Sequence, residues 1–161
     1  MTYRYRTMLV HLNDKRRAEA ILEPVVSLAS RYQAHLIGMH VYPSVPAAPV
    51  AVPYASKVLG SIAAGERKES DEIAAAFARM TADQPFVAEW RALKVPHVDL
   101  APVVLDHARS VDLIIAGQTD PGWEQSTLMD FPERLALESG LRWPRLFGQF
   151  FRFDEWSLCR G

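Results

Sequence analysis

Cysteine is nearly absent. Cys159 stands alone among 161 residues, so no internal disulfide forms, and with no Cys or His beside it no metal site is built around it. A reducing, cytoplasmic setting is the expectation. There is no run of about 18 apolar residues, which argues against a membrane-spanning helix, and the apolar stretch after the arginines of MTYRYRTMLVHL is too short for a signal peptide. An excess of one charge is missing too. The formal charge is −1 and no basic block occurs, so the electrostatic footprint of a nucleic-acid partner is not there. Catalytic signatures are equally thin. There is no GxSxG elbow for a nucleophile. Gly117 and Gly122 open a P-loop spacing, but Trp123 and Glu124 stand where a lysine and a hydroxyl would meet phosphate and magnesium. His35 and His40, five apart on one strand, point to opposite faces and cannot share a metal ion. His107 follows Asp106 on a helix, where adjacent residues do not face each other.

What is present is a chain with 49% hydrophobic residues, enough for one globular domain with a real core and too little length for two. Thr7 to Leu12 reads as a buried strand, and Asn13 and Asp14 are suited to cap the helix that follows. That helix carries Ala18, Ile21, Leu22, Val25, Leu28 and Ala29 at three-and-four spacing, and Pro24 predicts a kink or restart within it. Ala34 to Val41 is a second strand. Prolines at 43, 46, 49 and 53 then favour an extended loop. A long helix is expected over 55–82, with the charged patch GERKESDE as a solvated face. Phe86 to Val95 alternates apolar with polar and reads as a strand near a sheet edge. Asp99 is placed to cap a helix running to Arg109, with Pro102 in its first turn. Leu113 to Ala116 is apolar without alternation, the pattern of a strand buried on both faces. Gly117 ends it, a polar loop follows, and a last helix is expected from about Asp130 to Ser139.

Strands separated by helices predict an α/β domain, a doubly wound parallel sheet with helices on both faces and a ligand crevice at the carboxyl ends of the strands. With the first and fourth strands adjacent, Asn13 and Gly117 both border that crevice. His11 is the histidine placed beside it, and a satisfied core histidine is the preferred reading. Trp123 either stacks on a base or covers the open sheet end.

LVHLND before a helix, AHLIGMHVYP as the second strand, and VDLIIAG followed by a loop and ERLALESG resemble the universal stress protein family over residues 3 to 140. The resemblance implies a Rossmann-like sheet in the order 3-2-1-4-5, a homodimer or a tandem second universal stress domain, and a stress-response role without catalysis. From the charge and the lack of long apolar runs, no nucleic-acid or membrane partner is expected. Some members bind ATP through a loop of glycine, two residues, glycine, nine residues, glycine, then serine or threonine. Laid on this chain, the pattern falls on Gly117, Asp120, Asp130 and Phe131, with Thr119 inside the loop, and only the first glycine is kept. The acidic residue that usually ends the first strand falls on Asn13, and the adenine-side position on Val41. Together with His11, these are the candidate nucleotide-binding residues.

The replacements carry a cost. A non-glycine residue held at positive φ costs about 1–2 kcal/mol, and a carboxylate about 4 Å from a phosphate oxygen is repelled by about 4 kcal/mol at an effective dielectric of about 20, nearly three decades of affinity. The expectation is a non-catalytic domain with weak or no ATP binding and no metal. The alternative is an ATP or AMP sensor with His11, Asn13 and Val41 around the base. An enzyme of the adenine-nucleotide α-hydrolase-like group would need a HxGH-like or SGGxD-like motif after the first strand, and HLNDKRR contains neither.

The resemblance stops at Gly140, so residues 1–140 are read as the domain and 141–161 as an atypical tail. Six of its 21 residues are Phe or Trp, four are Arg, and none is β-branched. A fifth strand over RLFGQFFRF is weakened by Gly148. A shifted reading frame or a truncated tandem protein is the expectation for this segment.

Overall fold

Strand side chains alternate between the two faces of a sheet, and the apolar residues of the first strand are buried on both. Met8, Val10 and Leu12 join one core with Ala18, Ile21, Leu22, Leu36, Ile73 and Phe77, while Leu9 joins a second with Ile37, Met39, Val41, Leu100, Val104, Leu105 and Leu135. A sheet with apolar helices on both sides is the only arrangement that serves such a strand. A computed structural model shows it, describing residues 5–44, 53–96, 99–123, 126–129 and 131–139. In chain order the elements are β1 (Thr7–His11), α1 (Lys15–Tyr32), β2 (His35–Pro43), α2 (Pro53–Thr81), β3 (Ala88–Val95), α3 (Ala101–Ala108), β4 (Leu113–Ala116), α4 (Ser126–Met129) and α5 (Pro132–Glu138).

The sheet runs β3-β2-β1-β4, every pair parallel. This is the predicted doubly wound order for four strands. A fifth strand would come from residues 141–161, which lie outside the described residues. β1 is central: His11 stands opposite Met39 on β2 and Ala116 on β4. Asp112 fixes that register from the entry of β4, its carboxylate accepting from the backbone N–H groups of Arg6 and Thr7 at 2.9 and 3.1 Å.

Of the kink or restart expected at Pro24 the restart does not occur, and the capping role expected of Asp99 is corrected. α1 continues through Pro24 without a restart; Ile21, Leu22, Val25 and Val26, on either side of the proline, are all buried, and their burial outweighs one lost backbone hydrogen bond. Asp99 does not cap α3. Leu100 is the N-cap, without a side-chain hydrogen bond, and Asp99 instead accepts from Arg134 of α5 at 2.6 Å. The predicted last helix is α5, beginning at Pro132, and α4 is an additional short helix ending at Met129 in the loop before it. α2 spans the predicted length, but its buried residues begin at Ser70 and continue with Ile73, Ala76, Phe77 and Thr81. The described residues of its first half are exposed or half-buried.

Candidate functional site

The parallel pairing of β1 and β4 brings their carboxyl ends together with the start of α1. Asp14 is the N-cap of α1, and its Oδ1 accepts from the Arg16 backbone N–H at 2.9 Å. The same carboxylate takes the Arg16 guanidinium at 2.8–3.1 Å and lies 3.5 Å from Arg17 Nε. Burial pushes the Asp14 carboxyl up, but the Arg16 hydrogen bonds and the two cations outweigh it and hold the group below the usual carboxylate range.

Arg17 reaches across the crevice. Its Nη1 donates to the Gln118 carbonyl at 2.7 Å, and its Nη2 lies 3.4 Å from Asn13 Oδ1. Asn13 in turn donates from Nδ2 to the Met129 carbonyl at 2.7 Å. Trp123 lies against both arginines, with the Arg17 and Arg16 guanidinium carbons 5.2 and 5.8 Å from its ring centroid, within cation–π range.

The loop between β4 and α4 is closed on itself. The Asp120 N–H donates to Ser126 Oγ at 2.6 Å, and the Gly122 N–H to Asp120 Oδ1 at 2.8 Å. The Trp123 N–H donates to the Asp120 carbonyl at 3.0 Å, and the Ser126 N–H to the Trp123 carbonyl at 2.9 Å. A phosphate cradle needs such amides unspent, and these four are engaged. The strain expected at Asp120 is absent. Among the described residues Gln33 is the single non-glycine residue at positive φ, so the loop settles into a path that an L-residue follows without cost. Gly117 needs no glycine for space either: a Cβ there would meet Ile21 at 3.4 Å and Arg17 at 3.6 Å, ordinary contacts.

The remaining candidates scatter. His11 is 1% exposed, its ring 5.1 Å from that of Phe131. Its Nε2 is enclosed without a hydrogen-bond partner among the described residues, so it is a core histidine but not a satisfied one. Burial, with the charge of His40 adding to it, pulls its pKa down to about 3. Val41 is fully buried, opposite Leu93 on β3 and within the core beneath α3. Thr119 is exposed. Phe131 is the N-cap of α5 and buried, an apolar plug where a hydroxyl was needed. Asp130 lies outside the described residues. The structure thus joins His11 with Phe131, and Asn13 with the loop through Arg17. Sequence reasoning missed Arg16 and Arg17 as members of this site. The available signal was their place in the first turn of a helix that starts at the crevice. Among the described residues no group of three or more His, Cys, Asp or Glu is placed to hold a metal ion.

No family model matches the chain, and no curated protein does. Solved structures do. The universal stress protein UspA from Lactobacillus plantarum superposes with a TM-score of 0.55 at 19% identity, over 79% of this chain and 91% of that one. The fold is that of a universal stress protein. A universal stress family protein from Burkholderia pseudomallei follows at TM-score 0.47 and 21% identity, over 71% of this chain and 82% of the other. A universal stress protein solved in complex with cAMP aligns at TM-score 0.44 and 21% identity, over 83% and 90%. Within the universal stress protein fold, then, this chain has its crevice bridged by Arg17, with Trp123 packed on the Arg16 and Arg17 guanidinium groups.

Proposed function

We propose that the chain is a non-catalytic stress-response domain of the universal stress type, acting through dimer or tandem-domain contacts and binding ATP weakly or not at all. The observation that carries this reading is the self-bonded loop of 117–126, with the Arg17 guanidinium spent on the Gln118 carbonyl. Opening the loop for a triphosphate would break those bonds before any phosphate contact formed, and each is worth about 0.5–1.5 kcal/mol. The Asp120 carboxylate adds repulsion of the order already given. Absence of a phosphate motif after β1 in HLNDKRR supports a role without catalysis. Calorimetry with Mg-ATP on the full chain tests the reading. No saturable heat below about 0.1 mM is expected, a loss of some three decades against a sub-micromolar site, and a sub-micromolar dissociation constant would overturn it.

A second reading, an adenine-nucleotide sensor, has one observation in its favour. His11 Nε2 is enclosed at the crevice and has no partner among the described residues, as a nitrogen awaiting a ligand would be. ATP or AMP retained by the purified protein in a native mass spectrum would establish it in place of the first.

A further inference from the structure

The first half of α2 extends beyond the residues that bury it, and between it and the ends of β2 and β3 lies a half-open cavity of about 590 Å³, with Ala64, Arg67, Asp71, Ala92 and Lys94 of its lining exposed. None of the crevice residues lines it. Its volume is within the roughly 300–1,000 Å³ of sites that take small organic ligands. The apolar part consists of alanine methyls, Ala63 and Ala64 from α2 and Ala92 from β3, together with Tyr42 from β2. The Tyr42 ring is stacked on His40, centroids 5.2 Å apart at 24°, which holds it as a flat wall.

Charge sets the class of ligand. Arg67 enters the cavity from α2 and Lys94 from β3, and neither makes an ion pair among the described residues. Asp71 is the one carboxylate among the lining residues. It stands four residues after Arg67, a spacing at which such pairs close on a helix, yet the pair is open. Among the lining side chains two cations face one carboxylate. Ser70, 4% exposed, adds a hydroxyl to the lining. Glu66, next along α2, has its Oε2 enclosed without a partner. Burial pushes that carboxyl up, against the pull of the Lys94 charge.

We propose that this cavity binds a small planar organic anion, its carboxylate or phosphate held between Arg67 and Lys94 and its flat body against Tyr42 and the alanines. The proposal is independent of the reading of the crevice. Benzoate, phenyl phosphate and inorganic phosphate, titrated into the ¹⁵N-labelled full chain, test it by amide shifts. Saturable shifts are expected with the two aromatic probes at Tyr42, Ala63–Asp71 and Ala92–Lys94, with the loop 117–123 unmoved. Arg67→Ala and Lys94→Ala should each weaken benzoate about tenfold, equal to about 1.4 kcal/mol, with spectra otherwise unchanged because both side chains are exposed; Arg67→Lys should recover part of the loss. No saturable shift with any probe, shifts centred on 117–123, or undiminished affinity in the two alanine variants would each overturn the site. Inorganic phosphate binding as tightly as phenyl phosphate would overturn it as a site for an organic anion.

Discussion

His11 and His40 differ in one hydrogen bond. Both are buried near the carboxyl end of β1. The His40 Nδ1–H donates to the Leu12 carbonyl at 2.7 Å, whereas His11 Nε2 has no partner among the described residues. Burial lowers the pKa of both, that of His11 to about 3 from an ordinary 6.5. A base whose pKa is lowered by folding binds its proton better in the unfolded chain, so its stability contribution is intact above pH 6.5 and falls as pH drops toward 3. Urea midpoints are therefore expected to fall between pH 7 and pH 5, and His11→Leu should flatten that slope. At pH 7 His11→Leu should lie within about 1 kcal/mol of wild type, since no hydrogen bond is lost, while His40→Leu strands the Leu12 carbonyl and should cost about 1–3 kcal/mol. Equal losses in the two variants would show that the unpartnered nitrogen has no energetic meaning.

α2 is held on the sheet where β2 has no side chain. A Cβ at Gly38 would stand 2.5 Å from Phe77 and 2.7 Å from Trp90, closer than real contacts allow. Both neighbours are rings packed on each other, centroids 5.2 Å apart, and neither yields cheaply. Gly38→Ala is expected to cost about 1–3 kcal/mol by overpacking, and Phe77→Leu in the same chain should recover part of it; an unchanged denaturation midpoint in Gly38→Ala would refute the tight fit. Pro24 offers the opposite case. It sits inside the unbroken α1 at the cost of a backbone hydrogen bond, so Pro24→Ala should raise stability by about 1–3 kcal/mol in the same assay. Elements of this kind were legible in the sequence because periodicity and punctuation are local signals: the spacing around Ile21 and Val25, the unalternating run at Leu113, the prolines at 43 and 53. The role of Asp99 was not, because its partner Arg134 is 35 residues away and enters only with the packing of α5 on α3.

At the scale of the molecule, the order of four strands followed from alternating elements and from the family resemblance, but the state of the crevice did not. Matching Asp120 to a glycine position predicted strain and repulsion. The chain avoids the strain by rerouting the loop, then uses the same carboxylate to accept from Gly122, and no spacing rule shows a loop bonding to itself. The sheet has a further consequence in its two ends. β3 is guarded by charge, with Lys94 exposed and Glu89 paired to Arg91 at 2.7 Å, a common device against edge pairing. β4 is LIIA, without a charge, and among the described residues it pairs only with β1. An uncharged strand whose outer row of backbone groups is unpaired among the described residues is a template for another strand. The full protein is accordingly expected to self-associate through β4, giving a dimer in native mass spectra and protection of the amides of 113–116 against hydrogen exchange that fades on dilution. Protection that ignores concentration would place a segment of the same chain on that edge. A monomer with fast exchange there would mean that four residues of parallel edge are too short to recruit a partner.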